Sequence, residues 1–205
     1  MDIPINADVL CAGKACGRST CLIVNPVDEQ VTHVVVTEKE FPNIKRLVPV
    51  GKIATSTADS IQLDCSQAAL ANMDAFEETD FIEAGKLESQ LPYSEPFVVW
   101  PYSTYDYMPM PLEHENIPIG EVAIRRYTPV KATDGHVGKV DEFVVDSKNA
   151  NVTHLVLREG HLWGEKDVSI PVSEIKEITG EAVFLKLDKK AVAALPAIPV
   201  KRRWK

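Results

Sequence analysis

The feature of this sequence that most constrains its fold is an internal repetition. Residues 31–36 read V-T-H-V-V-V, and residues 152–157, which follow 121 positions later, read V-T-H-L-V-L. Five further landmarks recur at an offset of 121 or 122 residues: Cys16-Gly17-Arg18 with Val137-Gly138-Lys139, Val24-Asn25 with Val145-Asp146, Pro49-Val50 with Pro171-Val172, residues 61–63 with 183–185, and Ala69-Leu70 with Ala191-Val192. Successive matches at one offset predict two copies of a single module, which a duplication explains.

Each copy has the pattern of short β-strands separated by polar turns. In the first copy, residues 20–24 are apolar and partly β-branched, which is typical of a strand. Residues 31–36 are apolar at both odd and even positions, so we expect both faces of this strand to be covered. Residues 46–50 predict a third strand that ends at a proline. Residues 66–73 suit a short helix whose N-cap is the serine at its start.

The segment between the two copies differs from both in composition. It is acidic up to residue 90 and then rich in proline and aromatic residues from 92 to 118. Proline limits regular structure, but exposed aromatic rings are unfavourable, so we expect an ordered, extended connector. Residues 120–125 predict a strand that leads into the second copy.

Composition and charge limit the classes of function. The chain has 205 residues and a net charge of −8, and this acidic balance disfavours general nucleic-acid binding. No apolar segment approaches the ~18–20 residues of a membrane-spanning helix, and the first six residues do not resemble a signal peptide. We therefore expect a cytoplasmic protein with no transmembrane segment, in which the four cysteines, Cys11, Cys16, Cys21 and Cys65, are reduced thiols.

The second copy carries the sequence pattern of a known family. Residues 135–140 read G-H-V-G-K-V, residues 144–146 read V-V-D, and residues 168–175 read V-S-I-P-V-S-E-I. With the strand at 152–157, these segments resemble the PRC-barrel family, which is named after the H subunit of the photosynthetic reaction centre and includes its cytoplasmic domain. The resemblance implies a small, highly bent antiparallel β-barrel. The order of the whole chain looks like that of bacterial proteins with two such barrels.

Together, the repetition and the resemblance predict an all-β fold. We expect two small PRC-type antiparallel β-barrels from an internal duplication, with short helices and a connector rich in proline and aromatic residues. The predicted domains are 1–73 for the first barrel, 74–118 for the connector, 119–200 for the second barrel and 201–205 for a basic tail.

Histidine and cysteine residues were weighed as possible ligands or proton carriers. His33 and His154 occupy the same position in the two copies, but no acidic or cysteine partner lies at ligand spacing, which favours polar residues paired in a barrel wall. Cys11, Cys16 and Cys21 lack the second ligand pair of a structural zinc site. We therefore interpret these cysteines as small hydrophobic residues and predict no metal site and no cofactor.

Three other motifs have more ordinary interpretations. Residues 113–115, E-H-E, could present ligands to a divalent metal from a loop, although acidic surface triplets are common. Residues 135–139, G-H-V-G-K, precede a strand rather than a helix, which favours a β-turn over phosphate binding. Asp141 and Glu142 are adjacent on a strand and face opposite sides, so they are interpreted as surface residues rather than an acid–base pair.

The best candidate for partner binding is the loop that contains His161, Leu162 and Trp163. The corresponding loop of the first copy contains Phe41-Pro42-Asn43. An aromatic side chain at a loop tip can anchor a partner, or it can fold back and cap the barrel. The basic tail at 201–205 is interpreted as a solvated chain end.

No catalytic constellation stands out, so we expect that the chain is not an enzyme. The favoured hypothesis is a protein-binding scaffold or adaptor whose partner is another protein, because small barrels fill their interiors with side chains. We expect the two barrels to pack against each other rather than to tumble freely, and packing on a second copy of the chain is also compatible with the sequence. One alternative is an assembly or maturation factor for a ribosomal or photosynthetic complex. Another is a metal- or redox-dependent sensor or enzyme that uses cysteine and histidine.

Overall fold

The computed structural model describes residues 1–57, 59–82, 110–146, 149–159 and 167–195. The first half contains strands β1 (Asp2–Pro4), β2 (Asp8–Cys11), β3 (Lys14–Asn25), β4 (Gln30–Glu38), β5 (Lys45–Pro49), β6 (Ile53–Ser56) and β7 (Ser60–Leu63), followed by helix α1 (Gln67–Ala71). The second half contains β10 (Val122–Arg125), β11 (Pro129–Ala132), β12 (Gly135–Val145), β13 (Val152–Glu159), β14 (Asp167–Pro171), β15 (Ile175–Ile178) and β16 (Val183–Leu185), followed by α2 (Lys189–Ala194). Between them lie β8 (Glu77–Ile82) and β9 (Met110–Glu115).

The two halves form sheets of the same topology. The first sheet has the strand order β5-β4-β3-β2-β7-β6, and the second has the order β14-β13-β12-β11-β16-β15. Each half ends in a short helix with a side-chain cap, because Ser66 Oγ accepts from the Ala69 N–H (3.2 Å) and Asp188 Oδ1 accepts from the Ala191 N–H (2.7 Å). The predicted all-β class and the predicted short helix are confirmed.

The prediction of closed antiparallel barrels is wrong in two respects. Each sheet is mixed, because β2 pairs with β7 and β11 pairs with β16 in parallel. Each strand path is also open. Its two edge strands follow one another in the chain and are joined by a 3-10 turn, at Val50–Lys52 in the first half and at Val172–Glu174 in the second. In each half, the two edge strands are therefore joined by the chain itself, at the position where a closed barrel would have ladder hydrogen bonds.

The leading strand of each half belongs to the sheet of the other half. β1 pairs with β12, with Ile3 opposite Phe143, and β10 pairs with β3, with Ile124 opposite Leu22. The strand predicted at 120–125 therefore exists as β10, but it extends the first sheet rather than the second. The exchange is reciprocal, since each residue of one contact lies 121 positions from its counterpart in the other.

A second reciprocal contact lies at the turns after β3 and β12. The Val31 N–H donates to the Ala150 carbonyl (3.2 Å), and the Val152 N–H donates to the Glu29 carbonyl (2.8 Å). These two bonds flank a single antiparallel bridge between Gln30 and Asn151. A contact in which the same positions of two related parts meet each other has the pattern of an isologous interface.

The two halves share one hydrophobic core. Val34, Ile61 and Leu22 from the first half belong to the same buried cluster as Leu155 and Phe143 from the second. Met1–Phe76 and the described part of Ile117–Lys205 accordingly form one compact unit. A second, smaller cluster covers the other face of the first sheet, and its members are Cys21, Ile23, Val35, Leu47, Phe76 and Ala123. Val34 and Val35 point into different clusters, so both faces of β4 are buried, as the apolar pattern predicts.

The described residues of Glu77–Asn116, in the middle of the chain, form a separate compact unit. Its described part is an antiparallel hairpin in which β8 pairs with β9 from Glu77 opposite Glu115 to Ile82 opposite Met110. The acidic residues before residue 82 therefore lie on a strand. The proline- and aromatic-rich remainder of the predicted connector lies largely outside the described residues.

Candidate interaction site

The most exposed aromatic side chain among the described residues lies at the tip of the β4–β5 hairpin. Phe41 is 93% exposed, although large apolar side chains in both flanking strands are buried. The peptide bond between Phe41 and Pro42 is cis, and Asn43 has a φ of 60°. When the two halves of the sequence are compared with each other, this loop corresponds to the loop around Trp163.

Hydrogen bonds hold this tip in one conformation. The Glu38 N–H donates to the Ile44 carbonyl (2.9 Å), and the Asn43 N–H donates to the Glu40 carbonyl (2.8 Å). The Asn43 side-chain amide also donates to the Glu38 carbonyl (3.0 Å). Asparagine tolerates the left-handed conformation that the turn requires. Phe41 is therefore presented to solvent by an ordered loop.

An ion pair fixes the base of the same hairpin. The Arg46 guanidinium on β5 contacts the Glu38 carboxylate on β4 at 2.5 Å, and both side chains are largely shielded from solvent. Arg46 also donates to the Met73 carbonyl (2.9 Å), which lies just after α1. The pair therefore ties the hairpin to the end of the first half.

The β4–β5 hairpin is also bonded to the neighbouring β2–β3 hairpin. The Lys39 N–H donates to the Cys16 carbonyl (2.9 Å). Beside this bond, Gly17 packs so closely on β4 that a Cβ atom would lie 2.4 Å from the Thr37 carbonyl oxygen. The equivalent Gly138 would bring a Cβ within 2.6 Å of the Arg158 carbonyl oxygen. The paired glycines of the two copies therefore permit close strand approach.

The prediction that all four cysteines are reduced is wrong for one pair, since Cys11 and Cys16 form a disulfide with a Cα–Cα distance of 5.7 Å. The reason is local. A two-residue turn of Ala12 and Gly13, both with positive φ, joins β2 to β3. Cys16 then lies at a β-bulge, because the register shifts between Val9 and Leu10. A bulge changes the direction of a side chain, and five residues of separation in sequence give no sign of it.

The other two cysteines, Cys21 and Cys65, are not part of a disulfide. Cys21 is buried in the smaller hydrophobic cluster, which agrees with its interpretation as a small hydrophobic residue. Cys65 is partly buried against the main cluster. Burial raises the pKa of the Cys65 thiol, the nearby Lys52 opposes this change, and Asp64 adds to it.

His33 is part of a polar contact that joins the two halves. Its Nδ1 lies 3.1 Å from Thr32 Oγ1, and the Thr32 hydroxyl donates to the Glu121 carboxylate at 2.5 Å. The Thr32 hydroxyl also lies 3.3 Å from the Ile23 carbonyl, so the contact involves β3 and β4 as well as Glu121. Glu121 precedes β10 and could not be identified from local spacing. Thr153 is the counterpart of Thr32 in the second half, and its hydroxyl donates to the Val144 carbonyl (3.0 Å).

The acidic motifs are placed differently from the sequence-based expectation. Residues 113–115 lie on β9 rather than in a loop, so their side chains alternate between the two faces of the hairpin. The histidine of this triplet is opposite Glu78 in the register, and its Nε2 lies 3.7 Å from the Glu78 carboxylate. No group of three or more potential metal ligands occurs among the residues that the structure describes.

The interpretation of Asp141 and Glu142 as surface residues is wrong. Both are buried, with 2% and 4% exposure. A β-bulge between Val140 and Glu142 turns Asp141 toward Arg126, whose Nε lies 3.4 Å from the carboxylate. Asp141 also lies 3.7 Å from the Arg158 guanidinium. Buried carboxylates need such charged partners, which the sequence places far apart.

The glycine-rich segment at 135–139 was predicted to be a β-turn before a strand, and this is wrong, because it forms the start of β12 itself and the turn lies at residues 133 and 134. His161, Leu162 and Trp163, which are the predicted partner-binding residues, lie outside the described residues, and so does the basic tail.

Comparison with known proteins gives no family for this chain. No protein-family model matches it, and no curated protein is similar to it in sequence. No helix in the described parts of the chain has the length and apolar character needed to cross a membrane.

Proposed function

We propose that this chain is a non-enzymatic, cytoplasmic, protein-binding scaffold built from two PRC-barrel-like modules that arose by duplication. The shared strand order of the two halves and their reciprocal strand exchange support the duplication. The sequence resemblance supports the module type. The protein contacts its partner through hairpin tips on the outside of the molecule.

The observation that carries this proposal is the presentation of Phe41. An apolar ring that is 93% exposed stands on a loop held by three hydrogen bonds and a bridge to the next hairpin. Aromatic side chains are common anchors of protein interfaces. A preformed loop loses less conformational entropy on binding than a flexible one does. Trp163 takes the same role in the second half.

The interior offers no comparable feature among the described residues. The main cluster is made of aliphatic residues, one phenylalanine and the Cys11–Cys16 disulfide. A ligand therefore binds on the outer surface, at strand edges or at loop tips.

Site-specific photo-crosslinking tests the proposal. A benzophenone amino acid replaces Phe41 in the full chain, and the matched control replaces Val27, an apolar side chain that is 85% exposed on a different turn. We expect one discrete crosslinked protein from position 41 in native cells, lost when purified wild-type chain competes, and none from position 27. Trp163→Ala is expected to lower its yield.

Equal crosslinking from both positions, or none from position 41, would overturn the proposal. The identity of the captured protein separates a general adaptor from an assembly factor for a ribosomal or membrane complex.

The disulfide favours a second candidate function, a redox-responsive adaptor. Two thiols at Cys11 and Cys16 pass two electrons and two protons to an oxidant such as a small disulfide, and an S–S bond forms. Reducing cytoplasm keeps such a pair as thiols until oxidation occurs. The bond from Lys39 to the Cys16 carbonyl couples this pair to the loop that presents Phe41.

The crosslinking yield from position 41 also tests this second candidate. We expect it to change at least about threefold between reduced and oxidised protein, and to become independent of redox state in Cys11→Ser/Cys16→Ser. An equal response of the wild type and the double variant would exclude it.

A further inference from the structure

A basic and aromatic patch lies at the turn between β10 and β11. It consists of Arg126, Tyr127 and Lys139. The Arg126 guanidinium carbon lies 4.8 Å from the centroid of the Tyr127 ring, and Lys139 Nζ lies 5.5 Å from the same centroid. Tyr127 remains 52% exposed. One aromatic ring therefore contacts two cations, although the net charge of the chain is −8.

The backbone at Tyr127 is strained. Its φ is 72°, in the left-handed region that bulky residues avoid. Hydrogen bonds fix it there: the Tyr127 N–H donates to the Val140 carbonyl (3.0 Å), and the Val140 N–H donates to the Thr128 carbonyl (2.9 Å). Strain of this kind persists where the surroundings determine it, and it is concentrated at functional sites.

The first half builds the same turn without strain or excess charge. Asn6 takes the position of Tyr127, with a φ of 73°, and asparagine adopts this conformation readily. Ile5, which is buried, takes the position of Arg126. The fold therefore does not require a tyrosine or an arginine here.

The partner of the exposed cation is also lost in the second half. In the first half, Arg18 is opposite Asp8 on the neighbouring strand and pairs with its carboxylate at 3.1 Å. In the second half, Lys139 is opposite Pro129, which carries no charge. Lys139 is exposed, and its charge is not neutralised from that strand.

A buried carboxylate positions the arginine of the patch. Asp141, whose side chain is 3% exposed, lies 3.4 Å from Arg126 Nε. The ion pair limits the freedom of the guanidinium and keeps it beside the Tyr127 ring.

We propose that this patch docks a short acidic segment of a protein partner. The inference rests on the proposed protein-binding function and gives the chemistry of one contact. Glutamate or aspartate carboxylates pair with Lys139 and the outer edge of Arg126, and an adjacent apolar residue packs on Tyr127. Tyrosine and arginine are enriched among residues that dominate binding energy. A nucleic-acid backbone needs a longer series of cations than this patch offers.

A fluorescein-labelled peptide of alternating glutamate and leucine residues tests the inference by fluorescence anisotropy with the full chain at low salt. We expect Lys139→Gln and Tyr127→Asn each to weaken peptide binding by about tenfold, and added salt to weaken the wild type. The control Arg18→Gln removes the counterpart cation and is expected to leave binding unchanged. Tyr127→Asn installs the residue of the first half, so its melting temperature is expected to stay within a few degrees of the wild type.

Three results would overturn the inference: no binding of the peptide, equal loss in Arg18→Gln, or tighter binding of a single-stranded oligonucleotide of the same charge. None of these bears on crosslinking from position 41. The docking site and the scaffold function can therefore fail separately.

Discussion

At the scale of single residues, a glycine at the same position of each half allows two neighbouring strands to approach closely. Gly17 and Gly138 have ordinary φ angles, and what they lack is space for a Cβ atom. The sequence repeats a glycine at these positions but does not say why. The reason lies in the neighbouring strand, whose carbonyl oxygen occupies the space that a side chain would need.

Alanine at either glycine is expected to destabilise the fold. Gly17→Ala and Gly138→Ala each force a Cβ against backbone, and we expect a loss of about 2 kcal/mol or more in the free energy of unfolding, measured in urea. The matched control is Gly51→Ala, because a Cβ atom added there would have no heavy atom within 4 Å apart from those of its chain neighbours. The control is expected to be neutral or to gain up to about 1 kcal/mol. Equal effects at all three positions would contradict the close-approach argument.

Cys65 gives a prediction about pH. Burial raises the pKa of its thiol, so at a given pH the folded protein holds less thiolate than the unfolded chain does. We expect Cys65 in the folded protein to react more slowly with iodoacetamide at pH 8 than Cys65 in urea-unfolded protein that carries Cys11→Ser/Cys16→Ser. The reaction rate of the folded protein should also rise over a higher pH range than the rate of a free thiol. Cys65→Ser supplies the background. A faster reaction in the folded state would be inconsistent with the direction of the pKa shift.

At the scale of elements, the short leading strands β1 and β10 each connect one half to the sheet of the other half. β1 has three residues and β10 has four, and each supplies a fully buried isoleucine to the shared core while paired with the sheet of the other half. Short strands are marginal alone. Their stability comes from the long strand on which each lies.

Truncation of either isoleucine is expected to act on the opposite half. Ile3→Ala and Ile124→Ala should each cost about 2–5 kcal/mol, because each leaves a cavity in the core. In hydrogen exchange, Ile3→Ala should lower protection in β12 and Ile124→Ala in β3. Ile119→Ala, at a fully exposed isoleucine, is the control and should change stability by less than about 0.5 kcal/mol. Loss of protection confined to the half that carries the substitution would argue against strand exchange.

At the scale of the whole molecule, the two halves are joined by several kinds of contact. The shared cluster, the exchanged strands and the reciprocal bonds at Val31 and Val152 all cross from one half to the other. The sequence repetition predicts two similar domains, but by itself it does not show whether they fold together or independently. Only the crossing contacts decide between these arrangements.

Native-state hydrogen exchange should therefore show one global transition for Met1–Phe76 and the second half. The slowest amides of β4 and β13 are expected to exchange with the same free energy, because neither sheet keeps its core without the other. Urea-dependent exchange followed by mass spectrometry measures both strands in one experiment. Separate transitions for β4 and β13 would show that the halves unfold independently.

Much of the fold is readable from local patterns. The apolar residues of 31–36 and the N-cap at Ser66 act between neighbours in sequence, so the strand β4 and the helix α1 follow from them. Strand pairing is different, because Ile3 meets Phe143 only when distant segments close on each other. Propensity carries no information about that partner.

The candidate sites divide in the same way. The sequence places Phe41 in a loop but leaves open whether its ring is exposed or folds back on the barrel, and only the structure shows that it is exposed. The bulges that bury Asp141 and pair Cys11 with Cys16 come from register shifts in the ladder, and a shift of one residue changes which side chains share a face. The amino-acid sequence alone determined a repeated β-module, because periodicity and turn chemistry are local. The tertiary structure decided the open mixed sheets, the exchanged strands and the charged patch, because these depend on contacts between residues more than 100 positions apart or on register between strands.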